Sequence, residues 1–265
     1  MEPEWIREIA FDKSVLFLKS LNLQWRRTEK LVEDIHNILE EHGVKSGHIL
    51  DLCCGNGRFS VHMAKKGYKV TGVDISRPFI EDARKKAEEY GVTNNTYFIE
   101  CDARNLRTIR GRIAEPFDVV ISAWTSIGYY DRDTDLDIFR QARDLSKDDA
   151  VLMVLETDHQ AQAMTPPRNR RSPWYRLDDE TVVLEYSVFD PQCSRIESTW
   201  SFYRRDGENL LFLDRTKFDY HVYSLSELSA LLRAAGWEVE TCYGNLTTRE
   251  QITPQTSLNL IAKAS

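Results

Sequence analysis

Cysteine, histidine, proline and glycine are all sparse in this chain, with five, six, eight and twelve copies in 265 residues. Each shortage closes off a class of protein. Cys53, Cys54, Cys101, Cys193 and Cys242 are odd in number and have no C-x-x-C spacing. Neither a disulfide framework nor a thiolate zinc site is therefore expected, and the scattered histidines suggest no metal. Reduced thiols suit a cytoplasmic protein. No run approaches the roughly eighteen apolar residues of a membrane span. The opening Met-Glu-Pro-Glu-Trp lacks the basic start and apolar run of a secretory leader, so no membrane partner is expected. Basic stripes are missing too: 35 Lys and Arg against 42 Asp and Glu leave a net charge of −7, with both signs interspersed. Such a surface disfavours nucleic-acid partners, which need clustered cations to displace counterions. Arg168, Arg170 and Arg171 form the local exception, read either as a solvated loop or as a holder of an anionic group.

What the chain does have is alternation. Residues 4 to 42 carry apolar side chains at helical spacing, as in Leu31, Ile35, Ile38 and Leu39. From there strands and helices follow in turn: strand 48–53, helix 58–66, strand 68–74, helix 78–90, strand 96–101, strand 117–123, helix 134–145, strand 150–155. Apolar strands separated by helices predict a parallel sheet buried on both faces. Between about 160 and 221 the period changes to two, as in Ile196, Ser198, Trp200 and Phe202, which predicts antiparallel strands with one wet face. A capping-box sequence, Ser224-Leu-Ser-Glu227, opens a helix that stops at Gly236. Strands at 237–243 and 257–263 close the chain as an antiparallel hairpin.

The chemistry is concentrated at strand ends. His-Ile-Leu-Asp-Leu-Cys-Cys-Gly-Asn-Gly at 48–57 is a strand that ends near Asp51 and turns through Gly55 and Gly57 into a helix. Open α/β sheets bind ligands at that edge, where backbone N–H groups are available. The next strand, Val-Thr-Gly-Val-Asp at 70–74, ends in Asp74, placed to accept two hydrogen bonds from a ribose diol. A nucleoside-containing cofactor follows from the pair.

A dinucleotide fingerprint would place a third glycine at Ser60. With the closing hairpin, the pattern instead resembles the class I S-adenosylmethionine-dependent methyltransferases, whose first motif reads D/E-x-G-x-G-x-G. Cys53 stands where that motif's first glycine belongs, so its backbone is expected to avoid positive φ. The resemblance continues through Gly67 to Ser76, through Cys101-Asp102-Ala103-Arg104, and through the segment 117–130 that ends in Thr-Ser-Ile-Gly-Tyr-Tyr. That last segment and the insertion are similar to a branch acting mostly on small molecules.

The resemblance implies an α/β, Rossmann-like seven-stranded sheet, mostly parallel with its last strand antiparallel, formed by 1–159 and 222–265. Within it, 1–45 would be a helical cap, and an antiparallel β lid at 160–221 would cover the substrate pocket. It implies S-adenosyl-L-methionine as cofactor, with S-adenosyl-L-homocysteine as product, and a small-molecule methyl acceptor; a homodimer stays open. By position, Asp51, Cys53, Gly55 and Gly57 would surround the methionine part, and Asp74 the ribose. Asp102, the N–H of Ala103 and Ile75 would hold the adenine. Ser122, Ala123 and Trp124 would stand nearest the sulfonium. In-line methyl transfer requires alignment in a dry site more than any reactive side chain. An amine or hydroxyl acceptor must still lose a proton, for which Tyr129, His159 and His221 are the candidates, with Glu156 and Tyr130 beside them. The alternatives are a non-catalytic module that binds the same cofactor and a nicotinamide-dependent oxidoreductase.

Overall fold

The computed structural model describes residues 3–166 and 170–265, so the Arg168, Arg170 and Arg171 cluster lies outside the described side chains. Four helices and turns open the chain: α1 (Glu4–Arg7), a π-helical turn over Glu8–Asp12, α2 (Ser14–Leu23) and α3 (Trp25–Glu41). Then comes the alternating core: β1 (His48–Leu52), α4 (Arg58–Lys65), β2 (Lys69–Asp74), α5 (Arg77–Glu89), β3 (Thr96–Glu100), β4 (Phe117–Ala123), α6 (Arg132–Asp144) and β5 (Ser146–Thr157). Strand β5 starts before the expected 150 because Ser146 already pairs with Phe117.

The insertion contributes α7 (Gln160–Met164) and five strands, β6 (Arg170–Arg171), β7 (Trp174–Arg176), β8 (Thr181–Asp190), β9 (Arg195–Asp206) and β10 (Asn209–His221). The chain ends with α8 (Leu225–Ala234), β11 (Trp237–Tyr243) and β12 (Leu258–Ala264). The Ser224–Glu227 capping box forms as the sequence predicts, with each side chain accepting from the other's backbone.

The main sheet has the order β11-β12-β5-β4-β1-β2-β3. All its pairings are parallel except those of β12, which runs antiparallel to both β5 and β11. Chain order reverses between β1 and β4, the topological switch point at which such sheets open a crevice. One apolar layer packs α3, α4 and α5 on the sheet through Ile35, Phe59, Met63 and Ile80. The opposite layer packs α6 and α8 through Ile138, Phe139 and Leu231, with Trp237 fully buried.

The second sheet, β10-β9-β8-β6 with β7 also on β8, is antiparallel. A third apolar cluster joins its inner face to the N-terminal helices: Phe17, Phe79, Leu177, Val183 and Phe202. The helices are also tied down by polar contacts. Lys13 Nζ donates to the Arg215 carbonyl at 2.6 Å, and Lys19 Nζ to Asp178 and Thr181. The cap, the sheet edge and the insertion therefore converge on one space.

Candidate active site

Three strand ends in the main sheet finish in left-handed residues that are not glycine: Cys53 (φ 57) after β1, Trp124 (φ 63) after β4 and Glu156 (φ 54) near the end of β5. The expectation that Cys53 avoids positive φ is thus overturned. Its backbone keeps the conformation the missing glycine would have taken, and the burial of the surrounding loop holds it there. Such backbone strain persists where neighbouring structure over-determines it, and it concentrates at ligand sites. All three residues line one cavity of about 570 Å³.

Two carboxylates organise the cavity's inner end. Asp51, 2% exposed, accepts from the Ser60 N–H at 3.0 Å and the Ser60 hydroxyl at 2.6 Å, tying β1 to the first turn of α4. Asp74 accepts from the N–H of Gly55 at 2.9 Å and of Ser76 at 2.9 Å, which locks the glycine turn to the end of β2. Burial raises both carboxyls from the usual carboxylate range to about 6, against the smaller opposing pull of those hydrogen bonds. Gly55 faces the cavity, whereas Gly57 packs the turn. A Cβ on Gly57 would lie 2.9 Å from that of Ala83 and 3.1 Å from the Phe98 ring.

Asp102 caps the turn after β3 through the Arg104 N–H at 2.9 Å and also pairs with the Arg104 guanidinium, which lies 4.5 Å over the Tyr130 ring. Asp102, Ala103, Ile75, Ala123 and Trp124 all line the cavity. Ser122 does not. It is 1% exposed within β4, and its hydroxyl has no hydrogen-bond partner among the described residues.

The three candidates for proton transfer are separated. Tyr129 lines the cavity with its hydroxyl 2.9 Å from that of Thr125, and burial pushes its phenol up to about 12. His159 is 4% exposed, outside the cavity lining, with Nε2 3.0 Å from the Thr256 carbonyl oxygen. His221 lines a different cavity of about 200 Å³ with Arg195, Tyr223 and Glu227, and burial lowers its pKa. Glu156 and Tyr130 reach the main cavity, and Glu156 is ion-paired with Arg27.

The sequence reading missed several lining residues. Arg58 opens α4, is 5% exposed, donates to Thr28 Oγ1 at 2.5 Å and lies 4.1 Å over the Trp124 ring. Burial lowers its pKa to about 10, which leaves it charged at neutral pH. Asp158 accepts from the Tyr220 hydroxyl at 2.7 Å. From the cap come Trp5 and Phe17, and from the insertion Glu185, Trp200 and Phe218. Among the aromatics of the second sheet, Tyr175 and Trp200 line the cavity, while Trp174 and Tyr186 are 68% and 45% exposed. A buried Arg at a helix start, four residues before His62, has no local sequence signal of its own.

Residues 49–149 match the model of the methyltransferase domain family. A putative methyltransferase of Bacillus subtilis is 23% identical over 208 residues, 78% of this chain and 79% of that protein. The tRNA 5-carboxymethoxyuridine methyltransferase of Escherichia coli is 31% identical over 91 residues, 34% of each chain. Among solved structures, an amino pentose methyltransferase of Micromonospora echinaspora with S-adenosylmethionine bound superposes with a TM-score of 0.70 at 15% identity, over 94% of this chain and 97% of that one. Residues 49–149 thus resemble a methyltransferase domain, and the chain shares its fold with solved methyltransferases.

Proposed function

We propose that the protein is an S-adenosylmethionine-dependent methyltransferase that acts on a small molecule held in the cavity between the sheet edge, the N-terminal helices and the second β sheet. The observation that carries the reading is the single cavity that runs from the buried carboxylates of Asp51 and Asp74 to a wall built by the cap and the insertion. A volume of about 570 Å³ falls in the range of small-ligand pockets. The E. coli relative acts on tRNA and the Micromonospora protein on an amino pentose, so the relatives do not choose between acceptor classes. A net charge of −7 favours the smaller acceptor.

In this reading Asp74 takes the ribose hydroxyls, and Asp102 with the Ala103 N–H takes the adenine. Asp51 and the turn at Gly55 surround the methionine portion, next to the cation of Arg58. The cofactor supplies a methyl group on a sulfonium. Trp124, held by its N–H to the Leu155 carbonyl at 2.8 Å, fixes the ceiling of that region, and the cap keeps water out. Residues 160–221 form the insertion that closes the acceptor side, set into a domain of 1–159 and 222–265.

Calorimetric titration with S-adenosylhomocysteine, followed by transfer of a labelled methyl group into metabolite extracts, tests the reading. Binding that Asp74→Ala weakens strongly, with label in low-molecular-mass products, supports it. Label only in RNA, or no binding, overturns it.

A further inference from the structure

The outer face of the second sheet, turned away from the cavity, leaves large apolar side chains in water. Cross-strand pairing sets which residues share that face: Trp174 stands beside Leu184, Val182 beside Tyr203, and Tyr203 beside Phe212. Tyr186 follows two residues after Leu184 on β8, and Leu210 precedes Phe212 by two on β10, so both belong to the same face. Phe212 is 57% exposed and Leu210 53%, beside the still more open Trp174. With about 150–250 Å² on each aromatic side chain, these exposures leave on the order of 500 Å² of apolar surface uncovered, at the upper end of what a lone chain shows. The patch is also held in place. Tyr203 meets Phe212 edge-on with centroids 5.8 Å apart, and Arg215 lies 5.6 Å over the Phe212 ring while its Nε donates to Ser201 at 3.0 Å.

The charges around the patch identify what fits it. Arg205, Lys217 and Glu197 lie on the same face, all exposed, and none has an ion-pair partner among the described residues. Along β9, Arg205 and Glu197 stand four residues to either side of Ser201, a small residue that is itself buried. A two-fold axis through Ser201, running across the strands, lays β9 antiparallel over its own copy. Arg205 then comes over the partner's Glu197, twice by symmetry, and Lys217 over the partner's Phe212, a cation on an aromatic ring. The face is thus complementary to itself in sign as well as in hydrophobicity. With its charged rim the patch approaches the roughly 800 Å² that each partner of a standard complex buries. An anionic membrane fits it less well, since Glu197 and a net charge of −7 oppose that approach.

We propose that the outer face of the second sheet binds a second copy of this chain, face to face about that axis, with Trp174, Leu184 and Phe212 in the contact and Arg205 paired with the partner's Glu197 at its rim. Trp200, one step out of phase with Ser201 on β9, lines the cavity from the opposite face, so the dimer leaves the cavity open. The proposal is independent of the methyltransferase reading and stands or falls without it.

Sedimentation equilibrium of the full chain, from about 1 to about 100 μM, tests the proposal. A species of twice 30.8 kDa is expected as concentration rises, and a mass of 30.8 kDa throughout overturns the proposal. Trp174→Glu and Phe212→Glu should each raise the dimer dissociation constant by at least about thirtyfold, the effect of losing an interface anchor, with the circular dichroism spectrum kept. Arg205→Glu or Glu197→Arg alone replaces two attractive contacts by two repulsive ones and should weaken the dimer about tenfold. Combining the two exchanges the charges and should restore the affinity to within about threefold of the natural protein. Should an apolar variant fail to fold, the charge exchange, made on two exposed residues, still decides. A dimer indifferent to Trp174→Glu and Phe212→Glu, a combined exchange that restores nothing, or a monomer that instead floats with phosphatidylserine vesicles overturns the proposal.

Discussion

The buried carboxylates at the cofactor end predict how binding varies with pH. In Asp51 and Asp74 burial is the largest influence, and it carries each carboxyl from 3.8 to about 6. A shift of about two units is worth about 3 kcal/mol in favour of the neutral form. In the ligand-free fold each group keeps its proton up to about pH 6, whereas the unfolded chain loses it near 3.8. The native state therefore binds more protons in that window. Its stability falls as pH rises from about 4 to about 6 and is level above. Cofactor binding acts in the opposite sense. In the proposed site, ribose hydroxyls that donate to Asp74 and an ammonium beside Asp51 would favour the charged forms, so binding would expel protons below about pH 6. At pH 5 about one tenth of each carboxyl is ionised. The dissociation constant for S-adenosylhomocysteine should then be about tenfold weaker than at pH 7 for one coupled carboxylate, and approach a hundredfold for two. Titration calorimetry in buffers of different ionisation heat reads the affinity and the protons released together. Asp74→Asn should remove one of the two contributions. A flat affinity profile from about pH 5 to about pH 8, or proton release unchanged in that variant, refutes the assignment.

Three further outcomes follow from the local geometry. Gly57→Ala puts a Cβ 2.9 Å from Ala83 at φ 73, so urea denaturation should show a loss of about 2–4 kcal/mol, and an unchanged midpoint contradicts the packing argument. Cys53→Gly removes left-handed strain of about 1–2 kcal/mol but loses a packed thiol and gains unfolded-state freedom. Thermal melting should therefore move by less than about 1 kcal/mol with cofactor affinity kept, and a large loss would assign the side chain a role of its own. Tyr129→Phe and His159→Ala should leave turnover of an accepted substrate within about threefold. A phenol pushed up to about 12 is no base at neutral pH, and His159 does not line the cavity. A drop of about a hundredfold in either would restore it as a proton acceptor.

The main sheet was legible because each of its signals is local. Asp51, Gly55 and Gly57 are adjacent in sequence, Asp74 ends the next apolar run, and the alternation of strand with helix allows few connectivities. The switch point then follows from strand order alone. Cys53 shows where such reading stops: the residue type argues against positive φ, but the hydrogen bonds that fix the loop, such as Cys54 N–H to the Val73 carbonyl at 2.9 Å, come from another strand. His159 and His221, unlike Tyr129, show the same limit. Both lie by a strand end near the site, yet helix α7 and the β10 terminus turn them away, a consequence of chain direction that spacing does not encode.

The acceptor wall was harder to read for a different reason. Period-two alternation in the insertion establishes that Ile196, Ser198, Trp200 and Phe202 share a face, and that Phe218 and Tyr220 share one. It does not say which face meets the cofactor, and sliding the register by one residue would exchange the two. Only the pairing of Glu185 with Trp200 and of Ser187 with Ser198 puts the polar positions on the buried side. Once that register is fixed, Glu185, Ser187 and Ser198 stand as buried polar positions on the inner face.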